Sequence, residues 1–270
     1  MQSTIFFCVL FFCSAIKPIA SAPPLDRIIG GSVAAEAAHP YMVGMSSGRL
    51  VDTFVCGGSL IATRTVLTAA HCVDAVFSSG SLTSSLRLRM GSNQWNKNGQ
   101  TYRVSGNATH PQYSAALVKN DLAMLYTSAA VLYSARVSPI VLSYQYIDAD
   151  VICKAAGWGR IWYPHGPISE YLLELTMTTI SGDTCVEETA SFLNEYDARS
   201  PEVDPSIEIC AYAPPNRGMC EGDSGAALVH GDRGTQVGVL SWGFPCARNA
   251  PDIFVRISAF EWWIAMFTRY

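Results

Sequence analysis

Charge is scarce in this chain of 270 residues: 15% are charged against 49% hydrophobic, lysine is rare, and the net charge is −4. A surface so poor in cations has no general means of holding nucleic acid or an acidic membrane, and so high an apolar fraction excludes a disordered chain. Internal repeats and low-complexity tracts are missing. So is any apolar run, after the N-terminal segment, long enough to cross a bilayer. Acidic residues are absent from Ala75 to Asn120, whereas eight of them, with the single base Arg199, crowd the stretch from Asp183 to Glu208. That stretch reads as a solvated surface loop.

What the chain has in excess is cysteine, nine in all. This is many for a reducing compartment, and an odd number cannot pair completely within one chain. The N-terminus accounts for part of it. Ile5 to Ala15 is almost wholly apolar, the length of a signal-peptide core and too short for a membrane span, although no charged side chain precedes it. Small residues follow, and cleavage after Ala15, Ala20 or Ala22 fits them. Residues 1–22 are therefore read as a signal peptide, and the mature protein as secreted and extracellular. Cys8 and Cys13 leave with the signal, so seven cysteines remain.

From Tyr41 onward the chain reads as many short strands. Phe54 to Ala62, Thr65 to Ala69, Tyr171 to Thr179 and Thr235 to Trp242 are β-rich, and Leu86 to Met90 alternates apolar and basic residues, the mark of a half-buried strand. Gly48, Asn98-Gly99 and Gly231-Asp232 punctuate them as turns. Such a pattern points to an all-β sandwich or barrel. A C-terminal helix is expected, because Ser258-Ala259-Phe260-Glu261 spells a capping box ahead of the apolar Trp262 to Phe267. A boundary near Ser138-Pro139 would divide the mature chain into two similar halves.

Three scattered segments carry chemistry: Thr68-Ala69-Ala70-His71-Cys72, Asn120-Asp121-Leu122-Ala123-Met124-Leu125 and Gly222-Asp223-Ser224-Gly225. A serine hydroxyl is a poor nucleophile near neutral pH. It needs an imidazole to take its proton and a carboxylate to hold that imidazole in the right tautomer. Glycines around the serine let backbone N–H groups approach a developing oxyanion. His39, His110, His165 and His230 have no such context and are read as structural.

With Arg27-Ile28-Ile29-Gly30-Gly31, Cys56-Gly57-Gly58-Ser59-Leu60, Gly157-Trp158-Gly159 and Ser241-Trp242-Gly243, these segments make the chain resemble the chymotrypsin-like (trypsin-fold) serine proteases from Arg27 to the C-terminal helix. The resemblance implies an all-β fold of two six-stranded antiparallel β-barrels packed together with a C-terminal α-helix. The protease domain would span 28–270, with barrels at about 28–138 and 139–258 and the helix at about 259–268. It implies a serine endopeptidase working through an acyl-enzyme. His71 would be the base and then the acid, Asp121 its orienting carboxylate and Ser224 the nucleophile. The N–H groups of Gly222 and Ser224 would form the oxyanion hole.

Activation follows from the same resemblance. Residues 23–27 would be a short propeptide, cut after Arg27 by an activating protease so that the amino group of Ile28 pairs with Asp223. A buried carboxylate without a partner is costly, so the new pair can act as a switch. Protein or peptide substrates, the activating protease and protein inhibitors are the implied partners, with no nucleic acid and no membrane; a monomer is expected. No cofactor is implied. Ser92 to Gln100, where the family holds calcium, has no carboxylate, so no metal is expected.

The resemblance also assigns a specificity pocket to Gly218, Met219, Ser241, Trp242, Gly243 and Asp252. Gly218, six residues before Ser224, stands where trypsins place Asp. Gly218 with Asp252 resembles arthropod chymotrypsins and the collagenolytic serine proteases of crustaceans. A slot for large apolar residues is expected, with Met219 covering Asp252; the alternative is a broad or Arg- and Lys-directed pocket in which Asp252 faces the substrate. A protease homologue that only binds partners is a further alternative. The cysteines would pair as Cys56 with Cys72, Cys185 with Cys210 and Cys220 with Cys246. Cys153 is left as a buried thiol, since His230 holds its partner's position. The acid-rich stretch between Cys185 and Cys210 is expected near the outer subsites, favouring basic residues a few positions before the cut. Ala226, next to the Ser-Gly, would add strain if its φ were positive.

Overall fold

A computed structural model describes residues 30–269 apart from 197–199, 245 and 247. The signal segment, the propeptide, Arg27 and Ile28 lie outside the described residues. The chain begins with a two-residue strand, β1 (Ser32–Val33). It then forms β2 (Met42–Ser47), β3 (Thr53–Ala62) and β4 (Thr65–Thr68), a one-turn helix α1 (Ala70–Asp74), and a small side hairpin of β5 (Phe77–Ser78) and β6 (Ser81–Leu82). Next come β7 (Arg87–Met90), β8 (Gln100–Thr109) and β9 (Ala123–Thr127). Six of these strands close an antiparallel barrel in the order β2-β3-β4-β9-β8-β7. The alternation of β7 does the work expected of it: Leu88 and Met90 are buried while Arg87 and Arg89 face outward.

The second barrel uses β10 (Ile152–Gly157), β11 (Leu173–Ile180), β12 (Glu208–Tyr212), β13 (Ala227–His230), β14 (Gln236–Trp242) and β15 (Asp252–Arg256). Their order is β11-β10-β13-β14-β15-β12, and pairing of β11 with β12 closes the ring while β1 adds to the edge of β11. Two antiparallel six-stranded barrels and a short C-terminal helix, α3 (Glu261–Phe267), are thus the fold that the sequence motifs implied.

The apolar cores cross the barrel boundary. Phe260, Trp263 and Ile264 of the C-terminal segment pack into the cluster built on Leu60, Leu67, Leu88 and Met124 of the first barrel. Met42 and Phe54 of the first barrel join Trp158, Leu175 and Phe254 in the second. Tyr126 Oη donates to Phe267 O at 2.8 Å, fixing the helix end to β9. Each barrel therefore covers part of the other's apolar surface.

Two elements differ from expectation. The acid-rich stretch is no loop: its first half is a helix, α2 (Gly182–Tyr196), capped by Ser181 Oγ accepting the Thr184 N–H at 3.1 Å. Cys185, Thr189 and Phe192 form its buried stripe. The C-terminal capping box does not form either. Ile257–Ala259 makes a 3₁₀ turn, and α3 starts after Phe260 with no side-chain cap. Burying both Ile257 and Phe260 in the core sets this geometry, and Phe260 meets His110 edge-on at 5.1 Å.

The three cysteine pairs form as implied: Cys56–Cys72, Cys185–Cys210 and Cys220–Cys246. Bridges of this kind are worth about 2–4 kcal/mol each. Cys153 is a buried free thiol opposite His230 in the β10–β13 ladder, and burial pushes its pKa up to about 11. Ala226 carries no strain, because the positive φ falls on Gly225, at +82°.

Candidate active site

His71 is carried by α1, directly after β4, and Asp121 by the turn that enters β9. The carboxylate of Asp121 is 1% exposed and takes three donors: the His71 backbone N–H at 2.8 Å, His71 Nδ1–H at 2.7 Å and Ser241 Oγ–H at 2.6 Å. The first two come from one residue, so imidazole and carboxylate are fixed in position and orientation together. Ser241 reaches across from β14, making the second barrel part of the support. The imidazole itself remains half-exposed, with its side chain at 33%. An imidazole with Nδ1–H committed to a buried carboxylate leaves Nε2 as the nitrogen that can accept, and its neighbour in the structure is Cys72 Sγ at 3.6 Å.

Ser224 lies in the turn between Cys220 and β13, and the local backbone is set by glycines. Gly225 has φ +82°, and a Cβ there would sit 2.3 Å from both Gly57 O and Thr68 Oγ1. In return Gly57 N–H donates to Ser224 O at 2.8 Å, and Cys56 beside it is bonded to Cys72 beside His71. The Ser224 backbone is thereby tied to the His71 segment across the barrel interface. Gly222 has φ +100°, a conformation that a side chain would strain. The N–H groups of Asp223, Gly225 and Ala226 are all used within the protein. Those of Gly222 and Ser224 have no acceptor among the described residues, which leaves two donors on alternate residues at the cleft.

Asp223 points inward. It is 1% exposed and accepts from Gly159 N–H at 2.7 Å and Cys220 N–H at 2.9 Å. A Cβ on Gly157 would lie 2.0 Å from Asp223 Oδ1, and one on Gly159 2.3 Å from Oδ2. The Gly157-Trp158-Gly159 motif is thus the cradle of this carboxylate. Trp158 between them is buried, with Nε1–H donated to Asn93 O of the first barrel at 2.8 Å. Burial raises the Asp223 pKa to about 6 against the two N–H bonds that lower it. No cation faces it among the described residues.

Beside Ser224 opens a cavity of about 300 Å³. Of the pocket residues read from sequence, Met219, Ser241, Trp242, Gly243 and Asp252 line it. Gly218 is buried outside that lining, and its neighbour Met219 faces the cavity instead. Tyr163, Leu240 and Phe244 complete the apolar wall; sequence reading passed over them because they belong to no short motif. Asp252 is 8% exposed and accepts the Met219 N–H at 3.0 Å. Burial, with a smaller contribution from the Asp223 charge, pushes its pKa up to about 7. A Cβ on Gly243 would come within 3.0 Å of Asp252 Oδ1, so the glycine keeps the carboxylate side of the pocket open.

One cluster of metal-ligand type occurs among the described residues, Cys56, His71 and Cys72, and its two sulfurs are already bonded to each other. No described helix is long and apolar enough to cross a membrane.

A model of the family described as Trypsin matches residues 28–264. The chain belongs to the trypsin family of serine proteases. It is 32% identical over 244 residues to trypsin delta of Drosophila erecta, covering 90% of this chain and 89% of that protein. It is similarly 31% identical over 266 residues to hypodermin-B of Hypoderma lineatum, with 95% and 96% covered, and 30% identical over 252 residues to trypsin alpha-4 of Lucilia cuprina, with 93% and 91% covered. As a trypsin-family member it is a serine endopeptidase, and its relatives span essentially its whole length.

Proposed function

We propose that this protein is a secreted, monomeric endopeptidase, made as a precursor, that cuts after large apolar residues by Ser-His-Asp catalysis. The observation that carries the reading is Asp121, buried and pinned to both Nδ1 and the backbone of His71. With substrate in place, Ser224 Oγ attacks the scissile carbonyl carbon and its proton passes to His71 Nε2. The carbonyl oxygen becomes an oxyanion on the two free N–H groups of Gly222 and Ser224. His71 then gives its proton to the leaving amine, which departs and leaves an acyl group on Ser224. A water molecule, deprotonated by the same Nε2, releases the acid and regenerates the serine.

Zymogen behaviour is supported by Asp223, a buried carboxylate lacking a cation among the described residues. Cutting after Arg27 by another protease would supply one as the Ile28 ammonium, and the pair would fix the adjoining Gly222 turn. Export is supported by the three disulfides, which belong to oxidising compartments. The apolar preference rests on the wall of Met219, Leu240, Trp242 and Phe244 and on the poor exposure of Asp252. A serine-directed phosphonate should label Ser224 after cleavage at Arg27. Peptides differing only in Phe, Leu or Arg before the cut should rank the two apolar residues first at pH 6. An absence of labelling would leave a binding protein, and tenfold preference for Arg would reverse the pocket assignment.

A further inference from the structure

Lys119 and Glu208 have no part in the mechanism, yet they form a buried ion pair between the barrels. The Lys119 Nζ lies 2.8 and 2.9 Å from the two Glu208 carboxylate oxygens, with side-chain exposures of 17% and 3%. Lys119 sits two residues before Asp121 in the first barrel, and Glu208 opens β12 in the second. The same carboxylate accepts the indole Nε1–H of Trp242 at 2.9 Å and the Asp204 backbone N–H at 2.7 Å, so its hydrogen-bonding capacity is well used. The ammonium in turn lies 5.4 Å from the Trp242 ring centroid.

Backbone geometry shows that this arrangement is held against resistance. Val118 and Asn120, on either side of Lys119, both have positive φ, at +47° and +52°. For a β-branched residue such as Val118 this is a strained conformation, kept only where the surroundings over-determine it. The ion pair and the Ser114–Lys119 bridge supply that determination. On β14, consecutive residues serve the same loop: Ser241 holds Asp121, and Trp242 shares Glu208 with Lys119.

We propose that Lys119 and Glu208 are positioning residues that lock the Trp242 indole, and through it fix the cleft wall against which the residues preceding the cut must lie. The ammonium neutralises the buried carboxylate, and the neutralised carboxylate orients the indole. Trp242 adjoins the Ser224 cavity, so a loosened ring costs binding of an extended peptide more than it costs chemistry on a small ester.

The activity arm of the test rests on the protease reading; the spectroscopic arm does not. Two doubly neutral variants, K119M/E208Q and K119M/E208M, both avoid a stranded buried charge and so protect folding. Only the first keeps an acceptor for the indole. With K119M/E208Q, kcat/KM on a peptide carrying four residues before the cut should stay within about threefold of wild type. With K119M/E208M it should fall about tenfold, mainly through KM, while a single-residue ester changes less than about twofold. Equal effects of the two variants, or equal loss on ester and peptide, would overturn the proposal. Independently of activity, the Trp242 indole N–H resonance, assigned by its disappearance in W242F, should exchange with solvent at least about tenfold faster in K119M/E208M than in wild type. Unchanged exchange would refute the lock, whereas inert wild-type protein with slow exchange would count against the protease reading alone.

Discussion

Three buried carboxylates stand behind the candidate site, and the two barrels treat them differently. Asp121, from the first, is met by three donors, two of them from the histidine it orients. In the second barrel Asp223 has two backbone donors and Asp252 has one, and burial drives their pKa values up to about 6 and about 7. The protein therefore completes the environment of the carboxylate to which the proposed function gives a part in every turnover. It leaves Asp223 and Asp252 without a cation among the described residues. In the proposed function a new amino terminus supplies one to Asp223, so that stored desolvation is the physical basis of activation, while Asp252, poorly exposed and bonded to the Met219 N–H, leaves the pocket to its apolar wall.

The largest expected effect comes from breaking the completed environment. In D121N the amide matches the size of the carboxylate but offers His71 Nδ1–H a weaker acceptor and favours the wrong tautomer. Turnover should fall about 10⁴-fold with little change in folding, measured by steady-state hydrolysis and thermal melting. A fall of less than about tenfold would mean that Asp121 is structural.

Withholding the cation from Asp223 comes next. R27Q blocks the activating cut and should leave the protein about 10²–10³-fold less active than the cut enzyme, the cost of an incompletely formed oxyanion hole. Equal activity of R27Q and cut protein would remove the switch. The same comparison predicts a pH dependence of stability. An ordinary carboxyl has its pKa near 3.8, so the folded uncut protein holds protons on Asp223 and Asp252 more tightly than the unfolded chain does. The sign follows: their contribution favours folding in acid and is lost as pH rises from about 4 through about 6 and 7. Melts of R27Q should show it, and D252N should reduce the slope at the upper end. If the cut places the Ile28 ammonium beside Asp223, as proposed, it favours the ionised carboxylate, and the loss in the cut enzyme should be smaller.

Much of the site was legible because its chemistry is packed into short motifs. His71, Asp121 and Ser224 each sit in a tight local context, and the glycines at 157, 159 and 225 mark where Asp223, Gly57 and Thr68 crowd the backbone. What escaped has a common cause, namely pairing across long sequence distance or competition with burial. The buried stripe of α2 includes Thr189, and four acids, Asp183, Glu187, Glu188 and Glu195, concealed its period. Several acids of the stretch from Asp183 to Glu208 are also not free. Glu188 accepts from Tyr212 Oη and Asp204 from Ser206, and Glu208 is paired with Lys119, which takes its charge out of the expected attraction for basic residues before the cut. Lys119 and Glu208 are 89 residues apart, and nothing local to either announces the other. Ser258 and Glu261 spell a cap correctly, yet burial of Phe260 moved the helix start.

The finest test of the comparison concerns Asp252 alone. Below its pKa of about 7 the carboxyl is neutral, and an apolar side chain can enter the pocket without stripping water from a charge. Above it the carboxylate is ionised and gains from an Arg or Lys side chain, although the neighbouring Met219, only 2% exposed, limits the approach. The ratio of kcat/KM for Arg over Phe, in otherwise identical peptides, should rise about tenfold between pH 6 and pH 8.5, a gain on the scale of one pKa unit of differential interaction. Changes in the chemical step common to both substrates cancel in the ratio, so the trend reports the pocket. D252N should hold the ratio flat at its low-pH value. A flat ratio in the wild-type enzyme would instead place Asp252 out of the substrate's reach behind Met219, making its raised pKa a matter of stability only.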